Sequence, residues 1–287
     1  MDFAKIYSTL SVSFDVFPPK TEEGEKNLFS ELDALVKYNP SFISVTYGAG
    51  GSTQDKTIDL ALKIRNRYGI QPLMHFTCVG AGRVEIKSHL DKVKELGLTD
   101  ILALRGDPPR GQDNFIPNPD GFSYANELVE FIKSQGGFSI AVAGYAEKHP
   151  ACSDFATDVK NLKRKIDAGA EIVLTQLFFD NSDYFNLVDE LEKLGSKVPV
   201  VPGILPITSI SQTENFIPQC GAKIPQKLKE KLNSAETPEE VIEIGIQHSI
   251  EQCLDLRSRG VKGFHLYPLN KAYSVSKVLD ALGIKKS

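Results

Sequence analysis

The sequence predicts an α/β fold: one (β/α)8 barrel, the TIM-barrel architecture, running as a single domain over residues 1–287. Three observations predict it. Eight short β-branched or apolar runs recur along the chain, amphipathic segments lie between most of them, and no change of composition marks a linker. With 287 residues, 41% hydrophobic and 24% charged, the chain can bury a large core and has the composition of an ordinary globular protein. A doubly wound open sheet is the competing architecture. That fold usually carries G-x-G-x-x-G after its first strand, whereas here the first strand runs into Phe17-Pro18-Pro19.

The elements follow in order. The first strand, 12–17, sets Val12, Phe14 and Val16 on the face that packs on helices and turns Ser13 and Asp15 toward the barrel interior. Leu28, Leu32, Leu35 and Val36 then keep helical spacing on one face. Strands at 42–46, 72–78 and 101–104 alternate with helices at 53–68, 84–96 and 124–135. The fifth strand, 139–143, precedes a helix marked by Phe155, Val159, Leu162 and Ile166; the sixth, 172–176, precedes one marked by Tyr184, Leu187, Val188 and Leu191. The pattern is weakest after the seventh strand, 198–202, and resumes with a helix at 237–258, a strand at 263–266 and a helix at 271–282.

Composition narrows the function. Thirty-three basic against 37 acidic side chains leave a net charge of −4 and a pI near 5.8, without the broad positive footprint of a nucleic-acid binder, though a local basic pocket for a phosphorylated cofactor stays open. No apolar run approaches the roughly 20 residues of a membrane span, and the first residues lack the pattern of a secretory signal, so a cytoplasmic protein is expected. Cys78, Cys152, Cys220 and Cys253 form no C-x-x-C pair, and His75, His89, His149, His248 and His265 show no H-x-H or H-x-x-x-H spacing. No metal is expected.

In such a barrel the active site lies at the C-terminal ends of the strands. Those ends offer Asp15, Thr46, His75, Thr77, Arg105, Asp107, Tyr145, Gln176 and Tyr267. A desolvated Asp15 would have a raised pKa and suit a general acid; the alternative is a carboxylate paired with a lysine inside the barrel. Gly106 lets a planar ligand approach the turn that follows strand four, although an Asp-Pro turn explains the same letters. Gly48 to Gly51 precede a helix and could bind an anion or merely connect elements. Asp158, Asn161 and Lys165 share one helix face, which is either solvated or, with Arg164, meets a diphosphate. His149, Gln176 and Tyr267 have structural alternatives as loop or barrel-mouth residues.

Taken together, Ser13-Phe14-Asp15-Val16-Phe17-Pro18-Pro19-Lys20, Ser44-Val45-Thr46-Tyr47-Gly48-Ala49-Gly50-Gly51, Leu104-Arg105-Gly106-Asp107, Asn161-Leu162-Lys163-Arg164-Lys165, Thr175-Gln176-Leu177-Phe178-Phe179-Asp180, Pro202-Gly203-Ile204-Leu205-Pro206 and Phe264-His265-Leu266-Tyr267 resemble the FAD-dependent methylenetetrahydrofolate reductase family along nearly the whole chain. The likeness is to the catalytic barrel alone, without the regulatory domain of longer members. It implies FAD as bound cofactor, NADH or NADPH as electron donor, 5,10-methylenetetrahydrofolate as substrate and a homo-oligomer. By motif match Thr46, His75, Arg105, Gly106, Asp107, Tyr124, Ala125, Tyr145, His149, Asp158, Asn161, Arg164 and Lys165 would line the FAD site. Gln176, Tyr267 and Lys271 would face nicotinamide or pterin, with Asp107 between flavin and pterin. The family usually has glutamate where this chain has Asp15, the implied acid, and some members have arginine at Lys271. A shorter acid leaves two other readings in view: a related flavoprotein acting on a different one-carbon carrier, or a flavin- or folate-binding protein without turnover.

Overall fold

A computed structural model describes residues 1–46, 54–106 and 117–284. Eight parallel strands close into a barrel in chain order, each paired with its sequence neighbour and the eighth with the first. They are β1 (Ser11–Val16), β2 (Phe42–Val45), β3 (Pro72–Thr77), β4 (Asp100–Leu104), β5 (Ser139–Gly144), β6 (Ile172–Leu177), β7 (Val200–Ile204) and β8 (Gly263–Leu266). Between them run α2 (Glu22–Leu35), α3 (Gln54–Tyr68), α4 (Arg83–Glu95), α5 (Ala125–Gln135), α6 (Phe155–Asp167), α7 (Asn181–Lys193) and α10 (Pro238–Ser258), with α11 (Tyr273–Ala281) after β8. The expected (β/α)8 barrel is thus the observed one. The seventh strand begins two residues later than its apolar run, because that run also packs the approach to the strand.

The main core lies between strands and helices. Val12, Phe14 and Val16 of β1 pack there with Leu28 and Leu32 of α2, as their alternation requires. A second cluster fills the N-terminal end of the barrel. Its surprise is a short α1 (Phe3–Ile6), capped by the Asp2 carboxylate on the Lys5 N–H, which sets Phe3 edge-on against Phe42 with ring centroids 6.1 Å apart. Phe3 and Tyr7 are buried in that cluster and fill that end of the barrel.

The connection from β7 to α10 departs most from the sequence pattern. It contains a single π turn (Gln212–Phe216), then α8 (Ile217–Gln219) and α9 (Gln226–Asn233), and buries its own cluster of Leu205, Ile207, Ile217, Leu228 and Leu232. Gly245 of α10 lets the helix lie on this segment: a Cβ there would stand 1.9 Å from the Ile207 carbonyl oxygen. Among the described residues no helix is long and apolar enough to cross a membrane.

Candidate active site

Parallel pairing sets Asp15 beside Ser44 and Ser13 beside His265, so four inward polar side chains from β1, β2 and β8 meet in the upper barrel. Ser13 Oγ lies 2.8 Å from His265 Nδ1, and His265 Nε2 lies 3.4 Å from Ser44 Oγ. Ser44 donates to Asp15 Oδ1 at very short range, and Thr46 donates to Oδ2 at 3.0 Å. A consistent assignment has Ser13 donating to Nδ1, so that the His265 proton sits on Nε2 and faces Ser44. From β3, His75 brings Nε2 to 3.2 Å from Asp15 Oδ1, at ion-pair distance but off the line of a full hydrogen bond.

These neighbours reverse the expected titration of Asp15. Burial by itself raises a carboxyl pKa, but the contact and charge of His75, with the charge of His265 and the Ser44 hydroxyl, outweigh it and hold Asp15 below its ordinary value. Sequence reveals the burial and not the donors. Burial also drives His265 down to about 4, against the pull of Asp15, so this imidazole is uncharged at neutral pH, where it touches Asp15 only through Ser44, and its charge holds Asp15 down only in acid. No lysine pairs with Asp15 among the described residues.

Opposite, α6 delivers cations. Its N-terminus is capped by the Asp154 side chain on the Thr157 N–H, and its apolar face buries Val159, Leu162 and Ile166, which turns Lys165 into the barrel mouth. Lys165 Nζ donates to the Ala143 carbonyl at 2.5 Å. Burial lowers its pKa to about 8; the charge of Asp158 resists this and that of Arg105 adds to it. A buried ammonium bonded to a neutral carbonyl, with a guanidinium close by, is an arrangement that an anion completes. Asp158 accepts the His149 N–H at 2.9 Å, and His149 Nδ1 accepts the Ala151 N–H at 3.0 Å, which puts the ring proton on Nε2. The His149 ring stands edge-on to Tyr145 at 4.7 Å.

A cavity of about 620 Å³ joins the two halves. It is lined by Asp15, Thr46, His75, Arg105, Gly106, Ala125, Tyr145, His149, Lys165, Gln176 and Tyr267, and hence by most of the candidates named from sequence. Gln176 reaches it from β6, where the pairing with β7 slips between Leu174 and Leu177, and its Oε1 accepts the Leu177 N–H at 3.0 Å. Tyr267 donates to the Thr175 carbonyl at 2.8 Å; Gly203 leaves room for it, since a Cβ there would meet that carbonyl at 2.2 Å and the Tyr267 ring at 2.8 Å. Gly106 has φ +90° and packs on Val79, so glycine is required there by backbone and space alike.

Other candidates stand outside the cavity wall. Tyr124 is the exposed N-cap residue of α5, Asn161 accepts from Arg164 Nη1 at 3.1 Å beside Cys152, and Lys271 is exposed. Asp107 and the loop with Gly48 to Gly51 lie outside the described residues. Conversely, Phe17, Phe216, Gln219, Cys220 and Leu269 line the cavity without having been named as candidates. Phe17 could have been found, since it ends the first apolar run next to Pro18; Phe216 and Gln219 lie in a single π turn and a three-residue helix, and Cys220 and Leu269 in loops, all too short to show periodicity. Among the described residues no three His, Cys, Asp or Glu side chains are grouped to hold a metal ion.

Comparison with known proteins agrees with this geometry. Residues 4–283 match the family described as methylenetetrahydrofolate reductase. A relative from Zea mays, methylenetetrahydrofolate reductase (NADH) 1, is 39% identical over 284 residues, covering 95% of this chain and 48% of its own length. The 5,10-methylenetetrahydrofolate reductase of Escherichia coli (strain K12) is 34% identical over 283 residues, covering 98% of this chain and 94% of its own. The chain therefore spans about half the length of the plant relatives it matches and nearly all of the bacterial one. An uncharacterized protein from Clostridium thermocellum, described as binding two copies of 5-methyl-5,6,7,8-tetrahydrofolic acid, shares the fold with a TM-score of 0.60 at 16% identity, over 97% of this chain and 96% of its own. A chain that places Asp15, Arg105, Lys165, Gln176 and Tyr267 around one barrel mouth, and that matches one family from residue 4 to residue 283, belongs to the methylenetetrahydrofolate reductase family.

Proposed function

We propose that the chain reduces 5,10-methylenetetrahydrofolate to 5-methyltetrahydrofolate, with FAD in the barrel mouth and NADH or NADPH as electron donor. The observation that carries this reading is one cavity walled on one side by buried Lys165 with Arg105 and on the other by the Asp15 network, in a chain of this family. The first wall suits the diphosphate of a flavin dinucleotide. The Clostridium thermocellum protein of the same fold, described as binding a reduced folate, supports a folate ligand.

Arg105 and Lys165 would neutralise the diphosphate, while Asp158, by fixing the His149 backbone, keeps the His149 ring and its Nε2–H at the cavity. Thr46, Gly106, Ala125 and Tyr145 would line the flavin, and Tyr124, Asn161, Arg164 and Asp107 would complete its rim. FAD, when bound, supplies a two-electron carrier between the nicotinamide and the one-carbon unit. Gln176 offers both amide donors and an acceptor to a pterin edge or carboxamide, and Tyr267 and Lys271 would flank it. The Asp15 carboxylate stabilises positive charge that develops on the folate as its five-membered ring opens.

The test is the visible spectrum of purified protein. It should show bound flavin, bleach with anaerobic NADH or NADPH, and recover when methylenetetrahydrofolate is added. Bleaching without recovery would move the substrate to another one-carbon carrier, and protein that cannot take up FAD would defeat the reading. The same reading expects self-association, which light scattering of the purified chain measures.

A further inference from the structure

Between β6 and β7 the ladder is interrupted next to the cavity. Leu174 pairs with Val201, but Gly203 pairs with Leu177 rather than Gln176, so β6 carries one residue more than its partner. An unbroken parallel ladder would have the Gly203 N–H donate to the Thr175 carbonyl. Here that N–H donates to the Thr175 hydroxyl at 2.8 Å, and the Thr175 carbonyl accepts the Tyr267 hydroxyl at 2.8 Å. Burial raises the Tyr267 pKa, so the phenol keeps its proton and remains a donor. Thr175 is fully buried, and its side chain takes the place of a main-chain acceptor.

Two cavity residues owe their placement to this exchange. Gln176 lies where pairing is interrupted, and the Leu177 N–H, by holding Oε1 at 3.0 Å, fixes which end of the amide carries the Nε2 donors. Tyr267 is drawn across Gly203 to the Thr175 carbonyl. Packing alone would be served as well by valine, which has the shape of threonine without the hydroxyl. Lacking that hydroxyl, the buried Gly203 N–H needs another acceptor. The Thr175 carbonyl is at hand, since a Cβ on Gly203 would stand 2.2 Å from it. Taking that carbonyl back into the ladder would loosen Tyr267 and straighten the strand under Gln176.

We propose that Thr175 is a positioning residue for the folate ring: its hydroxyl satisfies the ladder, which frees its carbonyl to hold Tyr267 and lets Gln176 face the ligand. The inference rests on the folate-reducing reading above and gives Thr175 no contact with substrate or flavin.

The experiment compares Thr175→Val with Thr175→Ser in FAD-loaded protein. Calorimetry on anaerobically reduced protein measures 5-methyltetrahydrofolate affinity, and flavin fluorescence measures FAD affinity. Thr175→Val should weaken 5-methyltetrahydrofolate binding, and raise the KM for methylenetetrahydrofolate, by about tenfold, as the loss of one or two hydrogen bonds implies, with FAD affinity unchanged. Thr175→Ser keeps the hydroxyl and should recover most of that loss. In a Gln176→Leu background the Thr175→Val step should weaken binding by about threefold or less, because residues that act through one another are not additive.

A Thr175→Val variant that binds 5-methyltetrahydrofolate as wild type does overturns the positioning role. So does a Thr175→Ser variant as impaired as Thr175→Val, a parallel loss of FAD affinity, or a penalty that is the same in the Gln176→Leu background. If Thr175→Val does not fold, Thr175→Ala against Thr175→Ser, which differ only in the hydroxyl, decides the same question. Wild type that binds no reduced folate defeats the functional reading and the positioning with it, whereas folate binding indifferent to the Thr175 hydroxyl defeats the positioning alone.

Discussion

At Lys165 the cost of burying an ammonium is held in reserve for an anion. Lys165→Ala should weaken FAD binding by roughly 1.5–3 kcal/mol, as expected for a charge-assisted hydrogen bond, measured by flavin fluorescence. Because burial sets this lysine near 8 and a bound diphosphate would pull it back up, FAD should bind best below about pH 8 and lose affinity as pH rises further. Lys165→Ala should lose that pH dependence together with the affinity. Across the cavity, Gln176→Leu keeps bulk but removes the amide, so folate turnover should fall while the protein stays folded and yellow. Unchanged turnover would leave Gln176 as no more than a partner of the Leu177 backbone.

At the scale of elements, the tightest contact is that of α10 with the segment after β7. Gly245→Ala would force a methyl into the Ile207 carbonyl, and overpacking of backbone on backbone should cost about 1–3 kcal/mol, seen as a lowered thermal midpoint. Strands and long helices were legible because each shows one period: Val12, Phe14 and Val16 alternate, and Phe155, Val159, Leu162 and Ile166 recur at three and four. The β7–α10 connection was not. Its buried Leu205 and Ile207 belong to a loop and Ile217 to a three-residue helix, with a π turn between them, so they share no period, and the glycine that admits α10 has no side chain to signal its contact. Helix α1 was missed for a related reason, since four residues are too few to show a repeat.

For the whole molecule, the rule that strand ends carry the site made Asp15, His75, Arg105, Gln176 and Tyr267 legible before any coordinates. Which of them touch was not, because β1 and β3 are not neighbours and the His75–Asp15 contact depends on how the closed barrel staggers its strands. The same closure buries His265, with a global consequence. Unfolded, this histidine titrates near 6.5; folded, at about 4. The unfolded chain therefore takes up the proton first on acidification, and its contribution to stability is complete above pH 6.5 and lost as pH falls toward 4, on the order of 3 kcal/mol in all. Denaturant midpoints across that window should show the slope, and His265→Gln should flatten it.

Pairing of β8 with β1 also has a temporal meaning. Ser13, next to Asp15 on β1, has to wait for its contact with His265 until residue 265 has been made, some 250 residues later in the growing chain. Until then Ser44, Thr46 and His75 are already in the chain beside Asp15, but the Ser13–His265 end of the network is open. The network thus closes in a single late event, the joining of the barrel's first strand to its last, and a nascent chain stalled short of β8 would carry Asp15, Ser44 and His75 without His265.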